Sequence, residues 1–146
     1  MVSRLISIAL LCALTTSSVA KERCTKGSEY EPSLCVLSLP RISQLTIVEN
    51  AAKSPAEKDS SVSCDNFSIK EKQVRRYFAK AKATNVNDAH HTLDWSPCYA
   101  SGKIVFRDGR SGLWSIDQYR VGSLVIDDGN AIVLYCPSCK FKPFQW

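Results

Sequence analysis

Lys103-Ile104-Val105-Phe106-Arg107, Asp108-Gly109 and Leu113-Trp114-Ser115-Ile116-Asp117 decide the fold of this chain. The outer segments are rich in β-branched and aromatic residues, and the second alternates apolar with polar, as two half-buried strands would. The Asp-Gly pair between them favours a tight hairpin turn, because both residues tolerate the positive φ such turns need. Val121 to Ile126 and Ala131 to Cys136 repeat the pattern around Asp127-Asp128-Gly129-Asn130. Four short strands joined by short turns predict an antiparallel meander.

Upstream the period changes. Val74, Tyr77, Phe78 and Ala81 recur at i, i+3, i+4 and i+7, the stripe of an amphipathic helix over about residues 69–83. Ser68-Ile69-Lys70-Glu71 matches a capping box at its start. One amphipathic helix packed on one face of a four-stranded meander gives an α+β class domain over residues 64–146. Asn85 to Tyr99, rich in Asn, Asp and His, reads as a loop. Residues 21–63 read as an N-terminal segment and polar linker, the linker being Asn50 to Ser63.

The first twenty residues have another purpose. A charge at Arg4, an apolar run from Leu5 to Leu14 and the small residues Ser18-Val19-Ala20 make residues 1–20 a secretory signal peptide, with cleavage expected after Ala20. The run is half of the roughly 20 residues that cross a bilayer, so no stable membrane anchor is expected after cleavage. A periplasmic or secreted location follows. Cys12 leaves with the signal, and Cys24, Cys35, Cys64, Cys98, Cys136 and Cys139 remain. An even set in an oxidising compartment reads as a disulfide framework, though spacing does not choose among the pairings.

Composition narrows the function. A chain of 146 residues is one domain's worth, which excludes a large multidomain enzyme. Lys and Arg number 19 against 14 Asp and Glu, a net charge of +5 that is too mild to require a nucleic-acid partner.

Cys136-Pro137-Ser138-Cys139 has the spacing of a thiol–disulfide active site, but that chemistry wants a following helix to lower the first thiol's pKa, and Phe141 to Trp146 contains a proline and no helical stripe. A structural role is preferred, with each cysteine binding another part of the chain. A metal centre from these cysteines with Cys64 and Cys98, or with His90 and His91, has only one proper C-x-x-C cluster, so no metal or cofactor is expected. His91, Asp94 and Cys98 form a possible base, orienter and nucleophile, but nearness along the chain is weak support for nearness in space. No catalytic residue is named, and a binding role ranks above an enzymatic one.

Binding candidates come from charge and exposure. Lys72, Arg75, Arg76, Lys80 and Lys82 share the helix face opposite the apolar stripe, a cationic surface suited to an acidic protein partner. Asp108 at the hairpin turn and Trp146 at the C-terminus are further contact candidates, whereas Trp114 is expected in the core.

Asp94-Trp95-Ser96-Pro97-Cys98-Tyr99-Ala100-Ser101-Gly102 and Leu134-Tyr135-Cys136-Pro137-Ser138-Cys139 resemble segments of small uncharacterised exported proteins of Gram-negative bacteria, over about residues 64–139. In class the chain is similar to periplasmic inhibitors and interbacterial immunity proteins, an analogy of size, export and architecture. The resemblance implies a disulfide-stabilised binder that blocks a protein partner, such as an acidic-surfaced toxin or hydrolase. The alternatives are a small secreted hydrolase using the His90–Cys98 loop and an envelope thiol-redox accessory protein.

Overall fold

Hairpin geometry dominates the chain. In a computed structural model, which describes residues 23–145, seven strands and two short helices follow one another. They are β1 (Cys35–Val36), β2 (Ile42–Lys53), α1 (Glu71–Phe78), β3 (Lys82–Thr84), α2 (Val86–Thr92), β4 (Cys98–Phe106), β5 (Ser111–Asp117), β6 (Val121–Ile126) and β7 (Ala131–Tyr135). The strands form one sheet in the order β1-β3-β7-β6-β5-β4-β2, antiparallel at every pairing. The expectation of a four-stranded meander carrying one packed helix is therefore corrected: β4 to β7 are the middle of a wider sheet, and two short helices accompany it.

Each correction has a local cause. The helix is shorter than its apolar stripe because Ala81, although buried, lies beyond the helix end, and Lys82 enters β3 to pair with Tyr135. Its start is later too: Lys70 is the N-cap, and its N–H donates to Gln73 Oε1 at 2.7 Å, so Ser68 caps nothing. The supposed loop 85–99 contains α2, started by Asn85, whose side chain accepts from the Asp88 N–H at 2.7 Å. Asn50 to Lys53, read as linker, belong to β2.

Chain reach dictates curvature. β1 and β2 lie at opposite edges, and in a flat sheet six strand spacings of about 4.8 Å would separate them by roughly 29 Å. Six Cα–Cα steps from Val36 to Ile42 span at most about 22 Å. The sheet must curl until its edges approach, and α1 occupies the concave side. Tyr77, fully buried, lies so close to β6 that a Cβ on Gly122 would sit 2.7 Å from its hydroxyl, so only glycine fits there. Phe78 meets Trp114 edge-on at 6.4 Å.

The concave side is the core. Ala100, Ile104 and Phe106 of β4, Trp114 and Ile116 of β5, Leu124 of β6 and Leu134 of β7 face it, with Val74, Tyr77 and Phe78 of α1. Phe67 and Phe144 close it from outside the sheet, their rings 5.8 Å apart. At the β4–β5 turn Gly109 has φ 89°, the left-handed value the Asp-Gly pair requires. Trp114 is buried as its alternation implies.

Three disulfides brace the described residues: Cys24–Cys35, Cys64–Cys98 and Cys136–Cys139. The last pair corrects the expectation that each of its cysteines binds another part of the chain. Residues 1–20, read from the sequence as a signal peptide, and Trp146 lie outside the described residues. No helix is long and apolar enough to cross a membrane among those described.

Candidate functional site

The cationic helix face resolves into separate tasks. Arg75 is half-buried; its guanidinium pairs with Glu71 at 2.8 Å and donates to the Ile42 carbonyl at 3.1 Å, tying α1 to the start of β2. Arg76 lies over the Phe141 ring, 4.2 Å from its centroid, and so packs the C-terminal segment. Lys72 and Lys80 are solvated, and Lys82 sits on β3 rather than on the helix. Asp108 is held in its own turn by Arg110 at 2.8 Å, which with backbone hydrogen bonds keeps its carboxyl below the usual range against a counteracting burial effect. The structure thus engages Arg75 and Arg76 within the molecule and leaves Lys72 and Lys80 in solvent.

It gathers a different cationic set. Arg41 and Arg107 become neighbours because β2 pairs with β4, the Arg107 N–H donating to the Arg41 carbonyl at 2.9 Å. With Arg75 they surround a cavity of about 460 Å³ whose apolar wall is Leu37, Leu39, Ile42 and Phe78. Among the described residues the Arg41 and Arg107 side chains have no ion-pair or hydrogen-bond partner, and both are exposed. Leu37 and Leu39 are there because they lie on the connection between β1 and β2, the two edge strands of the sheet. The result is an apolar cleft ringed by guanidinium groups, two of them free to bind a carboxylate in the bidentate manner suited to arginine.

A second concavity lies on the other face of the sheet, near the β5–β6 turn. Trp95, 60% exposed, projects from the segment after α2. A cavity of about 440 Å³ lies beside it, with Ser54, Tyr99, Ser115, Asp117, Val121 and Ser123 among its lining residues. A neighbouring one of about 360 Å³ shares Trp95, Asp117 and Val121 and adds His90 and Asp94.

Asp117 organises the turn. Its Oδ1 accepts from the Tyr119 N–H at 2.8 Å and the Val121 N–H at 3.0 Å. Burial nonetheless pushes its pKa up to about 7, against the lowering effect of those backbone donors and of Arg120. Arg120 adopts φ 73°, a left-handed conformation that costs a side-chain-bearing residue about 1–2 kcal/mol. Tyr77 Oη and the Cys136 N–H both donate to its carbonyl at 3.1 Å, and its Nη1 donates to the Pro137 carbonyl at 3.0 Å. Its Nε is buried with no partner. The Cys136–Cys139 loop thus acts as a support for the turn that carries Asp117.

The cysteines weighed as nucleophile, redox pair or metal ligands are all disulfide-bonded. Cys98 is buried and bonded to Cys64, so its sulfur is no free nucleophile beside His91 and Asp94. The Cys136 and Cys139 side chains are fully buried, and no helix follows them among the described residues, a setting that shields sulfur from an attacking thiolate. Among the described residues no three His, Cys, Asp or Glu side chains converge as metal ligands.

Sequence reading missed Arg41, Arg107 and Asp117 as site residues. Arg41 and Arg107 meet only through strand pairing; for Asp117 the available signal was an aspartate four residues before Val121, where its carboxylate can serve two turn amides. Comparison with protein-family models, curated proteins and solved structures finds no match.

Proposed function

We propose that the protein is an exported, disulfide-stabilised binding protein of inhibitor or immunity type, which blocks a protein partner by taking an acidic, apolar-tipped segment into the cleft of Arg41, Arg75 and Arg107. The observation that carries this reading is the charge of that cleft: two unpaired guanidinium groups and one anchored one beside an apolar wall. A carboxylate finds bidentate donors there, and a neighbouring leucine or phenylalanine finds Leu37, Leu39 and Phe78. Disulfides favour such a role because they hold loops in one geometry and lower the ordering cost of association. Export rests on the signal-like residues 1–20.

The test is affinity capture from an envelope extract of the producing cell, with the wild-type chain and Arg41→Glu/Arg107→Glu immobilised side by side. A defined partner should be retained by the wild type, weaken with added salt, and lose at least about tenfold in affinity on the double variant. Both arginines are exposed, so the fold should survive the change. An identical capture profile from the two proteins would exclude the cleft as the contact surface.

A further inference from the structure

We infer that the groove beneath Trp95 on the convex face of the sheet is a binding site for an uncharged oligosaccharide, distinct from the arginine cleft. The inference stands on the chemistry of the groove and not on the function proposed above. Its floor is a row of outward-facing side chains on consecutive strands: Ser115 pairs with Ser123, and Ser123 with Val133. Outside the lining, Ser101 and Glu49 continue the row on β4 and β2, and Glu49 accepts from Tyr99 Oη at 3.1 Å and Ser101 Oγ at 2.6 Å. Ser115 and Ser123 are half-buried, and among the described residues neither hydroxyl has a hydrogen-bond partner, so both remain to serve a ligand.

Three features select the ligand. First, an indole left 60% exposed at the rim of a cavity offers a flat π face, whose negative potential attracts the weakly positive C–H groups on the face of a pyranose. Second, serine hydroxyls both donate and accept, which matches sugar hydroxyls, whereas a carboxylate or phosphate would require cations. Third, the lining holds no lysine or arginine, and its one ionisable carboxyl, Asp117, lies at the turn end. A nucleotide would meet no positive charge there. A peptide strand would meet a sheet face, where the backbone groups are already paired, rather than an open edge. The volume of about 440 Å³ suits a ligand of two or three rings, within the range of roughly 300–1,000 Å³ usual for such sites.

Titration with cellotriose and with triacetylchitotriose, followed by amide chemical shifts, tests the site, and AMP serves as the charged comparison. One trisaccharide or both should saturate, shifting the amides of Tyr99, Ser115 and Ser123 and leaving those of Arg41, Phe78 and Arg107 in place. Trp95→Ala should weaken binding at least about tenfold, while Trp95→Phe keeps it within about threefold because a π face remains. Ser115→Ala/Ser123→Ala should cost about three- to tenfold, the effect of lost hydrogen bonds to an uncharged ligand. Since Trp95 is exposed, an unchanged unfolding midpoint for its variants would show that the loss is one of binding. No saturation by either sugar at millimolar concentration, saturation that survives Trp95→Ala, shifts centred on the arginine cleft, or tighter binding of AMP would each overturn the inference.

Discussion

The two concavities differ in how the chain makes them. The arginine cleft is assembled from three places, the β1–β2 crossing, the end of α1 and the end of β4, and its walls come from the curl of the sheet. The Trp95 groove is mostly sheet surface, where neighbouring strands in register align Ser115 and Ser123, and two loop segments, one at Ser54 and Pro55 and one at Trp95 and Ser96, supply the wall. A cleft made by closure depends on the whole core being in place. A groove made by register needs the hairpins and the loop segments that wall it. The two should therefore respond differently to loss of packing, of a covalent brace and of a buried charge.

Packing gives the largest contrast. Trp114→Ala should cost about 3–5 kcal/mol, because the side chain is buried against Phe78 and leaves a cavity. Trp95→Ala should change stability by less than about 0.5 kcal/mol, since an exposed side chain away from core contacts has little to lose. Urea unfolding followed by circular dichroism compares them. Similar costs would mean that Trp95 is a packing residue and the groove no open site.

The covalent braces separate the regions next. Cys64→Ser/Cys98→Ser opens a loop of sequence separation 34 and should cost about 3–4 kcal/mol by chain entropy. Cys136→Ser/Cys139→Ser opens a separation of only 3 and should cost about 2 kcal/mol or less on the same account. Because Cys98 begins β4 and its N–H is held by Ser96 Oγ at 3.1 Å, the first variant should loosen the Trp95 loop before the arginine cleft. Hydrogen exchange at Ser96–Tyr99 against Arg41 and Arg107 reads the order. Faster exchange at the cleft would reverse the comparison.

The buried charge of Asp117 gives the third contrast. Its pKa of about 7 in the folded state lies above the unfolded carboxylate value of about 3.9, so the folded state holds its proton more tightly. Stability contributed by that proton is complete at acid pH and is lost as pH rises between those two values. Asp117→Asn keeps an oxygen for the Tyr119 and Val121 amides and removes the charge. It should leave stability near pH 4 unchanged and raise it at pH 8, where the wild type carries a buried charge. Destabilisation at pH 8 would instead show that the ionised carboxylate is needed to hold the turn.

Much of the central sheet can be read from the chain. The alternation at Leu113 to Asp117, the Asp108-Gly109 turn and the repeat at Val121 to Tyr135 correspond to β5, β6 and β7 with their hairpins. β2 escaped because Gln44, Thr46 and Glu49 interrupt its apolar residues, and its register shifts against β4 at three places, with Ala51 at φ 51°. Irregular pairing destroys the period of two by which a strand is recognised. α2 escaped because none of its residues is buried, which leaves only the Asn85 cap as a signal. Of the cationic helix face, Arg75 alone lies in the arginine cleft, and nothing in local charge shows that Arg76 is packed on Phe141.

By itself, the sequence determined what is local: the hairpin turns, the strands that alternate, the buried stripe of α1 and an even set of cysteines outside the signal-like segment. These follow from period, φ preference and composition within a few residues. Tertiary structure alone decided which cysteines pair, how wide the sheet is, that Arg41 joins Arg107, and that three serines from separate strands share one row. Such outcomes depend on contacts between segments far apart in the chain. They are set by strand register, which aligns the Trp95 groove, and by a connection too short to span a flat sheet, which forces the curl that walls the arginine cleft.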